Sequence, residues 1–237
     1  MTSECPKCAA AVDPGSPECT RCGVIFAKVQ ARGERAPAPA PVAFVQARPE
    51  RAAADPLRQP AWVAKCVLLI GLVVWTWLFA TAPAGAAANS WLHLPNLVFH
   101  EAGHVLFAVF GRFVRVLGGS LLQFALPVAL AVVFLRQHDR TGAAVCVWWA
   151  GENLLDLAPY ISDARALQLV LLGGKTGAEV EGHDWEYLLT QLGWLRFDRV
   201  LGLWAHRMGL LIMVTAVIFG TVSLARDRPQ RLESSFD

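Results

Sequence analysis

The sequence predicts a mainly α-helical, polytopic membrane protein of about five to six spans, preceded by a small cysteine-rich N-terminal module. Of its 237 residues, 55% are hydrophobic and only 17% are charged, a composition too apolar for an ordinary soluble domain. The nine tryptophans fit the same class, because tryptophan favours the membrane–water interface. Four of the six cysteines lie in the first 22 residues, which sets this part of the chain apart.

The N-terminal module, residues 1–28, carries two CxxC motifs, and its metal-ligand candidates are Cys5, Cys8, Cys19 and Cys22. Four thiolates at this spacing suit a tetrahedral structural Zn²⁺. The start, "MTSECPKC", lacks the basic and apolar regions of a secretory leader, which favours metal binding over disulfides. The module resembles a zinc ribbon, and at this size the metal would supply most of its stability.

The charges of this module give no basic face for a nucleic acid. Three basic and three acidic residues balance one another: Lys7, Arg21, Lys28, Glu4, Asp13 and Glu18. Phosphate binding needs a cluster of positive charge, so nucleic acid is not an expected partner. We expect the ribbon to dock a protein partner or to present a substrate, and a purely structural cap is the alternative.

Residues 29–60 are rich in Ala, Pro and Arg without a sustained period, which predicts a flexible linker. The domain that follows is expected over 61–226, with a basic tail at 227–237. No Asp, Glu, Lys or Arg occurs from Cys66 to Phe99, and the first span is predicted over 61–82. Pro95 suits the first turn of a second helix over about 95–110.

The stretch "GRFVRVLGGS" that follows predicts a short turn or a strand pair, because glycines and arginines interrupt the apolar pattern. The remaining segments are two charge-free spans, one helix that is apolar at first and then polar, and one amphipathic surface region: 116–135, 208–225, 141–160 and 174–199. Pro127 is expected to bend the span in which it lies.

Basic residues before the first span predict a cytoplasmic N-terminus: Lys28, Arg32, Arg35, Arg48, Arg51, Arg58 and Lys65. A reducing cytoplasm also suits the free thiolates of the ribbon. The basic tail requires an even number of crossings, whereas five segments are clear, so the expected number is five to six. We expect an integral protein of a bacterial inner or plasma membrane.

The segment "LPNLVFHEAGHVLFAVF", residues 94–110, contains an HExxH motif in apolar surroundings. On a helix His100 and His104 lie one turn apart on the same face and can bind one Zn²⁺. Glu101 lies beside them, where a catalytic base is needed. Ionisable groups inside a membrane require partners, and a metal supplies one for both imidazoles. A hydrogen-bonded core cluster or part of a polar pore is the alternative.

A catalytic zinc needs a third protein ligand, and "WWAGENLLDLAPYISDARALQL" contains the acidic candidates. At this point the chain resembles the site-2 protease family of intramembrane zinc metallopeptidases, in HEAGH and in the order Asn153, Pro159, Asp163. The resemblance implies Asp163 as the third zinc ligand, and Asp156 and His183 remain open alternatives.

The remaining roles are also open. Asp156 is otherwise expected to hold a histidine N–H. Asn153 would bind the substrate backbone or the developing oxyanion, or else only satisfy the helix interior. The glycines at 118–119 resemble a turn in the family's short sheet, where an extended substrate adds a strand, and plain loop punctuation is the alternative.

These patterns favour an intramembrane zinc endopeptidase with one catalytic and one structural Zn²⁺, acting on a membrane-anchored protein within the lipid bilayer. The alternative is a non-catalytic membrane metal-binding or scaffold protein that recruits partners through its ribbon. A zinc transporter is less favoured, because the polar residues form one cluster and no path. A soluble metalloprotease is disfavoured by the apolar flanks of HEAGH.

Overall fold

The computed structural model describes residues 3–33, 58–83 and 85–228. Within it the chain divides into two compact units, Met1–Ala54 and Asp55–Asp237. Most of the predicted linker, and the tail from residue 229 onwards, lie outside the described residues.

The N-terminal unit is built around its cysteines. Strand β1 (Ser3–Glu4) pairs antiparallel with β2 (Ala11–Val12), and helix α1 (Phe26–Gly33) follows the second CxxC motif. Each motif closes a tight turn, in which the carbonyl of Cys5 or Cys19 accepts a hydrogen bond from a backbone N–H four residues later. Cys5 and Cys19 are almost fully buried and form the centre of a small core with Val12. Helix α1 continues past the predicted boundary at residue 28.

The second unit consists of helices joined by connections of unequal length. Its described residues form six α-helices: α2 (Arg58–Thr81), α3 (His93–Leu106), α4 (Arg112–Arg136), α5 (Arg140–Ser162), α6 (Asp184–Gln191) and α7 (Asp198–Arg226). Two 3₁₀ turns, Ala108–Phe110 and Leu195–Phe197, precede α4 and α7. The mainly helical class is thus confirmed.

Three of these segments are long and apolar enough to cross a membrane: Gln59–Thr81, Arg112–Arg136 and Leu195–Arg226. The predicted number of five to six spans is not confirmed. Helix α3 has 14 residues and is about 21 Å long, shorter than the roughly 30 Å hydrocarbon core. Helix α5 is longer, but it buries Glu152, Asn153 and Asp156 inside the unit.

The predicted turn or strand pair at "GRFVRVLGGS" is wrong, because these residues form the first turns of α4. Gly118 and Gly119 lie inside that helix, so they do not form a turn beside a sheet. Their role is close packing against α3: a Cβ atom on Gly103 would collide with the backbone carbonyl of Gly118. Interrupting glycines therefore mark a helix–helix contact here.

Helices α5 and α7 pack antiparallel through small residues. A Cβ atom on Gly209 would lie 2.6 Å from the carbonyl oxygen of Gly151, and one on Gly220 would lie 3.0 Å from the Cβ of Ala144. Along α7 every seventh residue is small and buried: Gly202, Gly209, Ala216 and Ser223. Small residues let helix backbones approach closely, which is a main source of helix association in membranes.

We predict that Gly209→Ala lowers the thermal unfolding midpoint of the detergent-solubilised protein, because the added methyl group meets the backbone of α5. Overpacking of this kind costs about 1–3 kcal/mol. The matched control is Gly71→Ala in α2, where a Cβ atom would meet no other atom within 4 Å. Equal midpoints for the two variants would contradict the close packing of α5 and α7.

Candidate metal centres

Three side chains from two separate parts of the chain meet in the second unit. Helix α3 places His100 and His104 on one face, and Asp184 at the start of α6 lies against both. The Oδ2 atom of Asp184 is 2.9 Å from Nε2 of His100 and 3.1 Å from Nε2 of His104. One ligand atom from each residue lies within 4.8 Å of the others, so this group could hold a metal ion. We call it the His–His–Asp cluster.

Asp184 is held in place by its neighbours. His183 caps the N-terminus of α6 by accepting a hydrogen bond from the backbone N–H of Glu186, 3.1 Å away. The backbone N–H of Asp184 donates to the hydroxyl oxygen of Tyr160 in α5, at 2.9 Å. These two contacts fix the first turn of α6, where a carboxylate is also favoured by the helix dipole.

The charge of Asp184 suits a metal ligand. Burial alone would raise the pKa of Asp184, but hydrogen bonds from His100 and His104 hold it below its ordinary value. The carboxylate is therefore ionised at neutral pH, as metal ligation requires.

Helix α4 supports both imidazoles from the other side. The Nδ1 atom of His104 is 3.0 Å from the backbone carbonyl oxygen of Arg115, and Nδ1 of His100 is 2.9 Å from Oε1 of Gln123. Because a carbonyl oxygen only accepts, the Nδ1 atom of His104 carries a proton, and its Nε2 atom, which contacts Asp184, is the atom that would bind a metal after losing its own proton.

Gly119 lies between these two contacts and keeps the cluster open. A Cβ atom on Gly119 would lie 2.6 Å from Nε2 of His104 and 2.7 Å from Nε2 of His100. Any larger residue would thus fill the space beside the two ligand nitrogens. Two imidazoles, one carboxylate and this space fit a metal ion.

The predicted third ligand, Asp163, lies outside the cluster. It follows the last residue of α5, and its carboxylate accepts hydrogen bonds from the backbone N–H groups of Gln168 and Leu169, at 3.0 and 2.9 Å. Nε2 of His183, the other alternative, is 3.6 Å from Asp163 Oδ2. The acid thus closes the loop after α5 by accepting from two of its backbone N–H groups.

The alternative ligand Asp156 also lies outside the cluster, in a hydrogen-bond network behind it. Its carboxylate oxygens lie 2.8 Å from Nδ1 of His93, 3.3 Å from Nδ2 of Asn96 and 2.9 Å from Nε2 of Gln123. The side chain is 5% exposed. Asp156 is therefore connected to His100 through Gln123 and does not share the position of Asp184.

The two predicted catalytic residues have different surroundings. Glu101 follows His100 on α3 and is half-buried. Asn153 is fully buried, and its amide donates to the carbonyl oxygen of Trp149 in the preceding turn, at 3.0 Å. The Oδ1 atom of Asn153 has no hydrogen-bond partner among the described residues.

Sequence reasoning missed Asp184 by one residue. In the stretch "EGHDWEYLL" only His183 was a candidate ligand, although the acid after it begins an amphipathic helix. The available signal was the pattern of a capping residue followed by Asp184 and Glu186 in the first turn. The pattern predicts a helix start, but it does not say which acid faces α3.

The four cysteines of the N-terminal unit form the second candidate centre, which we call the four-cysteine cluster. The Sγ atoms of Cys5 and Cys22 are 3.7 Å apart, those of Cys8 and Cys19 are 3.8 Å apart, and all four lie within 4.8 Å of one another. Burial alone would raise the pKa of Cys5, but backbone N–H groups, with that of Lys7 first, lower it to about 6. The pKa of Cys22, which a backbone hydrogen bond at Val24 would lower, is raised to about 12 by burial and by the neighbouring thiols. The four free thiols could therefore hold a metal ion.

We predict that Asp184→Ala loses one of two bound metal equivalents, whereas Asp163→Ala keeps both. The first change removes a ligand of the His–His–Asp cluster, and the second removes an acceptor of loop N–H groups. Plasma mass spectrometry of the purified proteins measures the metal content per chain. Metal loss in Asp163→Ala together with retention in Asp184→Ala would contradict the assignment.

We also predict that Cys19→Ser loses one metal equivalent and unfolds the N-terminal unit, because a metal supplies most of the stability of so small a domain. Cys66→Ser, in α2 of the other unit, is the matched control and should keep the metal content of the parent. Metal content and limited proteolysis of the N-terminal unit provide the two readouts. Unchanged metal in Cys19→Ser would contradict the four-cysteine cluster.

Comparison of the chain with protein-family models, with curated proteins and with solved structures gives no match. The function of the protein must therefore be argued from its two candidate metal-binding clusters and from the helices that carry them.

Proposed function

We propose that the protein is a zinc metalloendopeptidase that hydrolyses peptide bonds of membrane-anchored proteins. The observation that carries this proposal is the meeting of an HExxH helix with one distant carboxylate, in the His–His–Asp cluster. Two imidazoles and one carboxylate form a donor set suited to Zn²⁺, and catalytic zinc sites use three protein ligands. The HEAGH segment also resembles the site-2 protease family.

In this proposal the residues of α3 have separate roles. A zinc ion held by His100, His104 and Asp184 would polarise the substrate carbonyl and make water more acidic. Glu101, next to His100, accepts the proton of the attacking water on its carboxylate and delivers it to the leaving amine nitrogen. Without such a transfer the amine is a poor leaving group, so Glu101 is needed for cleavage but not for metal binding.

Asn153 has a narrower role in this proposal than the sequence suggested. One N–H of its amide is committed to the carbonyl of Trp149. Its Oδ1 atom is buried and unpartnered among the described residues, which is an unfavourable state for a polar atom. Because that oxygen is fully buried, it can accept from the backbone N–H of a substrate only where substrate binding parts the surrounding helices.

A membrane-anchored substrate is supported by the surface of α3. His100 is buried, whereas Leu94, Val98 and Val105 on other faces are 66, 65 and 78% exposed. An exposed apolar surface of this kind suits lipid or the apolar helix of a substrate. A bacterial inner or plasma membrane, a cytoplasmic N-terminus and a protein partner for the N-terminal unit belong to the same proposal.

A non-catalytic metal-binding or scaffold protein is the second candidate. One observation favours it: Asp184 already contacts both Nε2 atoms, so the three side chains also form a complete polar cluster. In that case the cluster would fasten α6 to α3, and recruitment through the N-terminal unit would be the function.

We predict that Glu101→Gln abolishes cleavage of single-span membrane peptides in detergent micelles while both metal equivalents remain. Loss of a general base lowers rates by roughly 10²–10⁴-fold. Glu181→Gln, which changes an exposed acid in the loop before α6, is the matched control and should cleave like the parent. Cleavage products are measured by mass spectrometry.

Retained cleavage by Glu101→Gln would refute Glu101 as the base. If the metal-loaded parent cleaves none of the peptides, the scaffold function is favoured instead. Partner binding by the parent and by Cys19→Ser would then be compared, to measure whether recruitment requires the cysteines.

A further inference from the structure

We propose that Gln123 and Asp156 are positioning residues of the metal centre, which lock His100 in the tautomer and orientation that present Nε2 to the metal. This inference rests on the metal centre of the proposed function but not on peptide cleavage. It is carried by a continuous hydrogen-bond chain that runs from His100 through α4 to α5 and back to α3.

The first step concerns the amide of Gln123. Its Nε2 atom is 2.9 Å from Oδ2 of Asp156, and its Oε1 atom is 2.9 Å from Nδ1 of His100. The same Oδ2 atom of Asp156 also accepts from Nδ2 of Asn96, so the amide nitrogen of Gln123 faces Asp156 and its amide oxygen faces His100. Nδ1 of His100 is then the donor, and its Nε2 atom is directed towards Asp184 and the metal.

The second step concerns the fixed position of Asp156. Asn96 donates from Nδ2 to both Glu152, at 2.9 Å, and Asp156, at 3.3 Å. Its orientation is certain because its Oδ1 atom accepts from the indole N–H of Trp149, at 2.8 Å, and an indole only donates.

The third step concerns burial, which makes the network rigid. Asn96 and Glu152 are fully buried, and Gln123 and Asp156 are 3 and 5% exposed. Water cannot replace a broken hydrogen bond at such positions without entering the core, and an unpaired buried polar group is costly. Reversal of the Gln123 amide would place two donors or two acceptors against each other, so this orientation is strongly preferred.

The two histidine ligands consequently differ in their support. His104 is oriented by the backbone carbonyl of Arg115, which no side-chain substitution removes. His100 is oriented by a side chain, and this side chain is itself held by Asp156. Groups that orient a ligating histidine typically contribute 10–100-fold to metal affinity.

The test uses full-length zinc-loaded protein and graded EDTA, with zinc release followed by metal analysis. Gln123→Met keeps the length of the side chain but removes both hydrogen bonds. We expect it to release the zinc of the His–His–Asp cluster at roughly 10–100-fold lower EDTA concentration than the parent. The zinc of the four-cysteine cluster, identified by its loss in Cys19→Ser, serves as the internal standard and should not change.

Gln123→Glu is the rescue variant. A glutamate oxygen accepts from Nδ1 of His100, and the protonated carboxyl group donates to Asp156, so the pattern of hydrogen bonds is kept. We expect its zinc to be released within about threefold of the parent concentration, well below the 10–100-fold effect of losing the support. Asp156→Asn lets the Gln123 amide reverse and should therefore also lower the EDTA concentration at which zinc is released. This second variant keeps the test valid if Gln123→Met does not fold.

Thermal unfolding distinguishes a merely structural role of Gln123 from a role in positioning His100. If Gln123 only stabilises the fold, Gln123→Met lowers the unfolding midpoint of the zinc-stripped protein and leaves the EDTA concentration unchanged, which overturns the proposal. Equal zinc release by Gln123→Met and Gln123→Glu overturns it as well. Because no substrate is used, failure here is separate from failure to cleave; a parent without zinc at the His–His–Asp cluster would overturn both proposals.

Discussion

The close approach of α3 and α4 is the constraint on which the candidate site depends. Gly103 on α3 and Gly118 on α4 bring the two backbones into direct contact, and Gly119 on α4 leaves room for the imidazoles of His100 and His104. The short distance brings Arg115 and Gln123 within hydrogen-bonding range of the two histidines. A single methyl group at Gly119 would occupy the space beside both ligand nitrogens, so helix packing and metal binding have the same requirement.

A second constraint is the cost of polar groups in apolar surroundings. The unit buries Asn96, Gln123, Glu152, Asn153 and Asp156 among helices that are apolar on the outside. Such groups are tolerated only when they are paired, and most of them pair with one another. Their placement on α3, α4 and α5 explains why α5 is enclosed between its neighbours, while α2, α4 and α7 retain the character of membrane spans.

Much of this arrangement could be predicted from residues adjacent in the sequence. The four-cysteine cluster follows from two CxxC motifs, and the shared face of His100 and His104 follows from helical spacing. The three spans are visible as charge-free runs. In each case the information is local, because the residues concerned lie within one continuous stretch of the chain.

The remaining features depend on contacts between distant segments. From sequence alone the glycines at 118 and 119 predicted a turn. They lie inside α4, and their function there, close packing against α3, becomes visible only when α3 is in place. The family resemblance implied Asp163, and Asp184 was not among the candidates. That Asp163 instead accepts from backbone N–H groups of the following loop could only be recognised with the backbone in view. Gln123 was not singled out, because an amide in an apolar run becomes informative only when its two partners are known.

The position of Asp184 on a short helix has a further consequence. The carboxylate reaches the histidines from a segment outside the long helices, anchored by the hydroxyl of Tyr160 and the cap at His183. An ion bound there is a cross-link between a peripheral loop and the interior of the bundle. Metal binding would thus determine how firmly the stretch from residue 163 to residue 197, which includes α6, is held against α3.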